Sequence, residues 1–195
     1  GMNWKKSEPI IIGEILNGNV PGFLKRLVPL HIQLADTATG KILHSTYFII
    51  PDYLMVGSDR NFARVPLTPM AAQQIADSLH CFLPTRKMVN DIYAAAKVKL
   101  EPVPLFAYRD SALVFYQHHL IIEGQRQGKK GLIAGIKKDV VLSAKVRTEG
   151  RPNREAIYGW HKPGGQPIQP LYAGHVNWYV DYSHGIRLVY ETIIV

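Results

Sequence analysis

Thr68-Pro69 and Pro84-Thr85 bracket the segment that most constrains the fold. Thr68 suits an N-cap, because its hydroxyl can accept a first-turn N–H, and Pro69 suits the first helical position, where no N–H is needed. Ala71, Ile75 and Leu79 then recur on one helical face. Pro84 interrupts the pattern and Thr85 restarts it, with Met88, Val89, Ile92, Tyr93 and Ala96 expected inward. The spacing predicts a helical pair over residues 68–97. Its two apolar faces must be buried, and the flanking sequence offers mainly strands to bury them against.

Residues 9–16 and 28–50 read as strands. Ile10-Ile11-Ile12 is β-branched and stops at Gly13. Val28 to Leu34 alternates, Asp36 to Gly40 turns, and Ile42 to Ile50 returns, which is a hairpin pattern. Pro51 to Gly57 suggests a further short strand. Glu101-Pro-Val-Pro-Leu105 reads as an extended connector. Ser111 to Glu123 reads as a helix capped by Asp110 or Ser111, with Leu113, Tyr116 and Leu120 in phase, although Val114-Phe115-Tyr116 also suits a strand. From Gly131 onward Leu132–Ile136, Val140–Val146, Ala156–Tyr158 and Ile186–Val195 read as strands, with Pro163-Gly164-Gly165 as a turn. The expected class is α+β: a mostly antiparallel sheet or partial barrel in one domain spanning 1–195, with helices confined to about 68–125.

Composition narrows the functions. With 195 residues, 47% hydrophobic and 19% charged, the chain has material for one sizeable core. No apolar run approaches the roughly 20 residues of a membrane helix. The single cysteine, Cys81, excludes an internal disulfide and a multi-cysteine zinc site. It reads as a core thiol, with a Cys81/His80 nucleophile as the alternative. The net charge of +8 favours anionic partners. Its densest patches, Lys129-Lys130 and Lys137-Lys138, are only dipeptides, and no nucleic-acid motif is present. The expected partner is therefore an anionic peptide or glycan rather than nucleic acid. No phosphate loop or dinucleotide fingerprint calls for a nucleotide, and no cofactor is expected. Gly1 before Met2 reads as a tag remnant. With Met2 as the native start the chain is expected in the cytoplasm; otherwise the compartment is open, the cell envelope included.

Candidate chemistry gathers in the C-terminal third. His175, Asp181, Ser183, His184 and Arg187 lie within thirteen positions, and Tyr158, Trp160 and His161 just precede them. Ser183 with His175 or His184 as base and Asp181 as orienting carboxylate would make a hydrolytic set. Arg187 would hold an anionic group bidentately. Against this, Ser183 lacks a Gly-x-Ser-x-Gly elbow, and Ser183-His184 also reads as an ordinary turn. His161, His175, Asp181 and His184 supply metal-ligand types without a recognised spacing, so no metal is assigned. Strand alternation sends Lys137 and Asp139 to one face and Lys138 to the other. One lysine would then face the site, unless the group is a surface ion pair. Trp160, Trp178, Tyr179 and Tyr182 read either as a stacking wall or as core residues with bonded polar tips.

Ser183-His184-Gly185-Ile186-Arg187-Leu188 resembles the Ser-His-Gly-Cys-Ile-Arg-Leu signature of the L,D-transpeptidases, which crosslink bacterial cell-wall peptides. Tyr158-Gly-Trp-His161 resembles that family's upstream His-Gly. The resemblance covers about six residues and implies a mostly β enzyme in which a His is base and Arg binds substrate. Gly185 is followed directly by Ile186, so the nucleophilic Cys is missing and only Ser183, His184, Gly185 and Arg187 carry over. The leading expectation is an acyl-transfer or hydrolytic enzyme acting on an anionic peptide such as a cell-wall fragment, in a polar cleft formed by residues 158–187. The alternatives are a non-catalytic domain binding an acidic peptide or glycan and, third, a metal-dependent hydrolase.

Overall fold

A computed structural model describes residues 4–147 and 151–195; Gly1 and Met2, read above as a tag remnant and start, lie outside the described residues. The chain begins with helix α1 (Trp4–Leu16) rather than the strand expected over 9–16. Its β-branched run is overridden by tertiary packing: Ile11, Ile12 and Ile15 meet the main core, and the Glu8 carboxylate accepts the Thr68 N–H at 2.7 Å. The hairpin follows as strands β1 (Val28–Ala35) and β2 (Ile42–Ile49), paired antiparallel from Val28↔Ile49 to Ala35↔Ile42. Strands β3 (Met55–Gly57) and β4 (Phe62–Arg64) pair with each other.

Helix α2 (Pro69–Ser78) starts at Thr68, whose hydroxyl accepts the Ala71 N–H at 3.2 Å. Ala71, Ala72, Ile75 and Ala76 form its buried face, whereas Leu79 is the exposed C-cap. After β5 (Cys81–Phe82), Thr85 caps α3 (Arg86–Ala95) in the same way. Strand β6 (Val98–Lys99) leads to α4 (Ala112–Arg126), capped by Ser111. The inward face of α4 is Val114, Phe115, His118, His119 and Ile122, not the Leu113-Tyr116-Leu120 stripe, which is exposed.

The rest is β7 (Ile133–Ala134), β8 (Lys138–Val140), β9 (Ile157–His161), β10 (Pro167–Tyr172), β11 (His184–Gly185) and β12 (Val189–Ile194). The strand expected over Val140–Val146 ends at Val140; the chain turns past Pro84 and forms a 3₁₀ turn at Ala144–Arg147. Two four-stranded sheets result, ordered β1-β2-β12-β5 and β10-β9-β8-β11. Most pairs are antiparallel; β8–β11 and β6–β7 are parallel. The sheets stay open, so the fold is α+β without a barrel. Val140, Ile157, Ile186 and Leu188 join α1 and α2 in the main core, which anchors the second sheet and the site it carries.

Candidate functional site

Register, not sequence proximity, assembles the polar centre. Parallel pairing of β8 with β11 sets His184 opposite Lys138 and Gly185 opposite Asp139, while β9 pairs on the other side of β8, with Lys138 opposite Gly159. Ahead of β11 the chain makes a tight turn: the His184 N–H bonds to the Asp181 carbonyl at 3.1 Å. The Asp181 carboxylate accepts both the Ser183 N–H and the Ser183 hydroxyl, an Asx-type turn. Arg109 reaches in from the loop before α4 and pairs with Asp181 at 2.6 Å. Burial opposes the charge on Asp181, but the His184 imidazole, the Ser183 bonds and the Lys138 ammonium outweigh it and hold the carboxyl down at about 2.

Ser183 is therefore not placed as a serine nucleophile. It is buried, and its hydroxyl donates to Asp181 rather than to an imidazole. Cys81 gives no thiol alternative here: it sits on β5, donates to the Leu79 carbonyl, and burial pushes it up to about 11, while neighbouring His80 pairs with Glu191.

The distinctive contact is between His184 and Glu155. Glu155 lies two residues ahead of β9 and is held by its N–H to the His175 carbonyl at 3.0 Å. His184 Nε2 and Glu155 Oε1 are 3.8 Å apart, with the residues 0% and 1% exposed. Neither ring nitrogen of His184 and neither carboxylate oxygen of Glu155 has a hydrogen-bond partner among the described residues. Burial, reinforced by the negative Asp181, pushes Glu155 up to about 8. Burial, reinforced by Lys138, His175 and Lys137, brings His184 down to about 4 against the attraction of Asp181. At neutral pH the two form an uncharged acid beside an uncharged imidazole. Half-buried His175 and Tyr179 stack on each other at 5.3 Å, and each ring lies 6.1 Å from His184.

The other expected site residues divide. Lys138 is buried, with its ammonium 4.8 Å over the Trp160 ring, facing the Asp181–Glu155 side. Lys137 is also buried and donates to the Tyr182 carbonyl at 2.6 Å; burial and the nearby Arg64 lower it to about 7. The surface ion-pair alternative for Lys137–Asp139 fails for the same reason: all three residues are enclosed. Arg187 is not open to a ligand: the acids it acts on are the buried Asp52 and Asp139. It is fully buried, bonds the Ile50 and Ile133 carbonyls at 3.1 and 2.6 Å, and lies 4.3 Å over the Tyr53 ring. Trp160 and Tyr182 are core residues with bonded polar tips, and Trp178 is exposed.

Tyr158 and His161 turn away to a separate 480 Å³ pocket, where both bond Asn90 Oδ1, at 2.8 and 3.2 Å, and His161 stacks on Tyr93. The single cleft expected over 158–187 is thus divided. Among the described residues no three His, Cys, Asp or Glu side chains are grouped so as to hold a metal ion.

A 570 Å³ groove adjoins the pair. Glu155 is part of its wall, Leu83, Val141, Val146 and Ala156 give it an apolar lining, and Arg147 and Arg154 are its cations. Sequence reasoning missed Glu155, Arg109 and both groove arginines. The one available signal was alternation, which places Glu155 on the same face as Ile157 at the start of a strand. Comparison with protein-family models, with curated proteins and with solved structures finds no match.

Proposed function

We propose that Glu155 and His184 form the proton-transfer centre of a hydrolase or acyl-transfer enzyme acting on an anionic peptide, of the kind a cell-wall fragment presents. The observation that carries this reading is the buried, unpartnered pair 3.8 Å apart. Each unsatisfied buried polar group costs about 1–3 kcal/mol, and opposed pKa shifts in adjacent groups suit acid–base chemistry. Glu155 belongs to the groove wall, and because its carboxylate oxygens are buried, substrate reaches them only when the wall opens. Water or the acceptor nucleophile adds to the acyl carbon, and Glu155, as a neutral acid, gives its proton to the leaving nitrogen or oxygen as the tetrahedral adduct collapses. The carboxylate left behind takes up the proton that the attacking water or nucleophile sheds, which regenerates the acid. His184 and Lys138 are positioning residues that hold the transient carboxylate. Arg147 and Arg154 favour a negatively charged occupant of the groove.

Turnover of a panel of acidic peptides, followed by mass spectrometry, tests this reading. The rate is expected to fall below about pH 4 as His184 protonates and above about pH 8 as Glu155 ionises. Glu155→Gln is expected to lower kcat by roughly a hundredfold or more with little change in KM, whereas Ser183→Ala keeps turnover.

A second reading is a non-catalytic domain that binds an acidic peptide or glycan. It draws support from the engagement of Ser183 by Asp181, which leaves the site without a side-chain nucleophile. Saturable binding with no turnover would select it over the enzyme. Neither binding nor turnover across the panel would overturn the anionic peptide as ligand.

A further inference from the structure

The basic dipeptide Lys129-Lys130 takes no part in the Glu155 site. Helix α4 ends with Gln127 and Gly128 at φ values of 49° and 73°, and this left-handed turn carries the two lysines to a 430 Å³ concavity that they share with Arg26 and Arg126. Phe23, Val28 and Ile133 give it an apolar lining. Its two acids are already committed. Asp52 is gripped by Arg64 through both carboxylate oxygens, and Asp59 Oδ1 accepts the Phe23 N–H at 3.1 Å. Arg126 is held in place by Glu123 at 2.7 Å and lies 5.5 Å over the Phe62 ring, which leaves its buried Nε without a partner. Arg26, Lys129, Lys130 and the Glu123-paired Arg126 thus outnumber the two acids of an apolar-lined concavity, an arrangement that suits a ligand with a negative head and an apolar body.

We propose that this concavity binds a small amphipathic organic anion, carboxylate or phosphate. The apolar body lies on Phe23, Val28 and Ile133, and the head group meets Lys129, Lys130 and Arg126. The charge supplies attraction and the lining supplies selectivity for organic over inorganic anions, since burying apolar ligand surface contributes roughly 25 cal/mol per Å².

Amide NMR titration of the full chain with phenyl phosphate, benzoate and inorganic phosphate tests the proposal and distinguishes the two head groups. Saturable shifts are expected at Phe23, Lys129, Lys130 and Gly131. At least one aryl anion is expected to bind about tenfold more tightly than inorganic phosphate. The double variant Lys129→Glu/Lys130→Glu, at exposed positions that leave the fold intact, is expected to weaken that binding about tenfold or more. Equal affinity for all three anions, binding unchanged by the charge reversal, or shifts confined to other surfaces would each overturn it.

Discussion

At Glu155 burial and the charge on Asp181 act in the same direction, with Lys138 opposing them. Asp181, in the same centre, goes the opposite way because the His184 imidazole, the Ser183 bonds and the Lys138 ammonium outweigh its burial. Two carboxyl groups in one site therefore hold different protonation states at neutral pH. Glu155 has its folded pKa raised above its unfolded value. Its contribution to stability is fully present below about 4.5 and is lost as pH rises through about 8. Glu155→Gln, which mimics the neutral acid, is expected to raise stability at pH 7–8 by about 1–3 kcal/mol and to leave it unchanged near pH 4. Denaturant melts at the two pH values check this. Equal stability of variant and parent at pH 8 would mean that Glu155 ionises normally. Arg187 and Ser183 mark the limit of the sequence reading at this scale. Their chemistry was visible, but burial among backbone carbonyls for one, and capture by Asp181 for the other, are tertiary facts.

Among the elements, the helix starts at Thr68, Thr85 and Ser111 were legible because capping is local: each hydroxyl meets an N–H three residues on. Helix α1 was not, since Ile10-Ile11-Ile12 suits a strand until α2 and the Glu8–Thr68 contact are known. The period of α4 was readable but its inward face was not, because both Leu113-Tyr116-Leu120 and Val114-Phe115-Ile122 are apolar. The β8–β11 pairing that brings His184 to Lys138 joins residues 46 apart in sequence, beyond any local signal. Gly185 makes that pairing fit. A Cβ there would lie 2.6 Å from a Tyr53 ring carbon and 2.8 Å from the Lys137 Cβ. Gly185→Ala is expected to cost about 1–3 kcal/mol by overpacking and to lower turnover by displacing β11. Gly164→Ala, with open space at its Cβ, is expected to be near neutral. Similar melting midpoints for both variants would refute the tight seat of β11.

For the molecule as a whole, the +8 charge could be read from the sequence, but the places where its cations come together could not. Two concavities on different elements hold some of these cations, one Arg147 and Arg154 beside Glu155 and the other Arg26, Arg126, Lys129 and Lys130. The interior holds ionisable groups of both kinds kept neutral by burial. His118 and His119 are lowered to about 2 and 4, and Asp139 is raised to about 7. The histidines lose their stabilising contribution as pH falls below about 6.5, and the carboxyls lose theirs as pH rises toward 7–8, so the fold is balanced between the two. Glu155 is the member of this set that belongs to a groove wall, and the proposed chemistry turns on its protonation state. Carbon-13 NMR titration of the Glu155 side-chain carboxyl in the full chain measures it directly. The expected result is a single midpoint near 8, absent from Glu155→Gln. A midpoint in the ordinary glutamate range near 4.5 would contradict the assignment of Glu155 as a neutral acid.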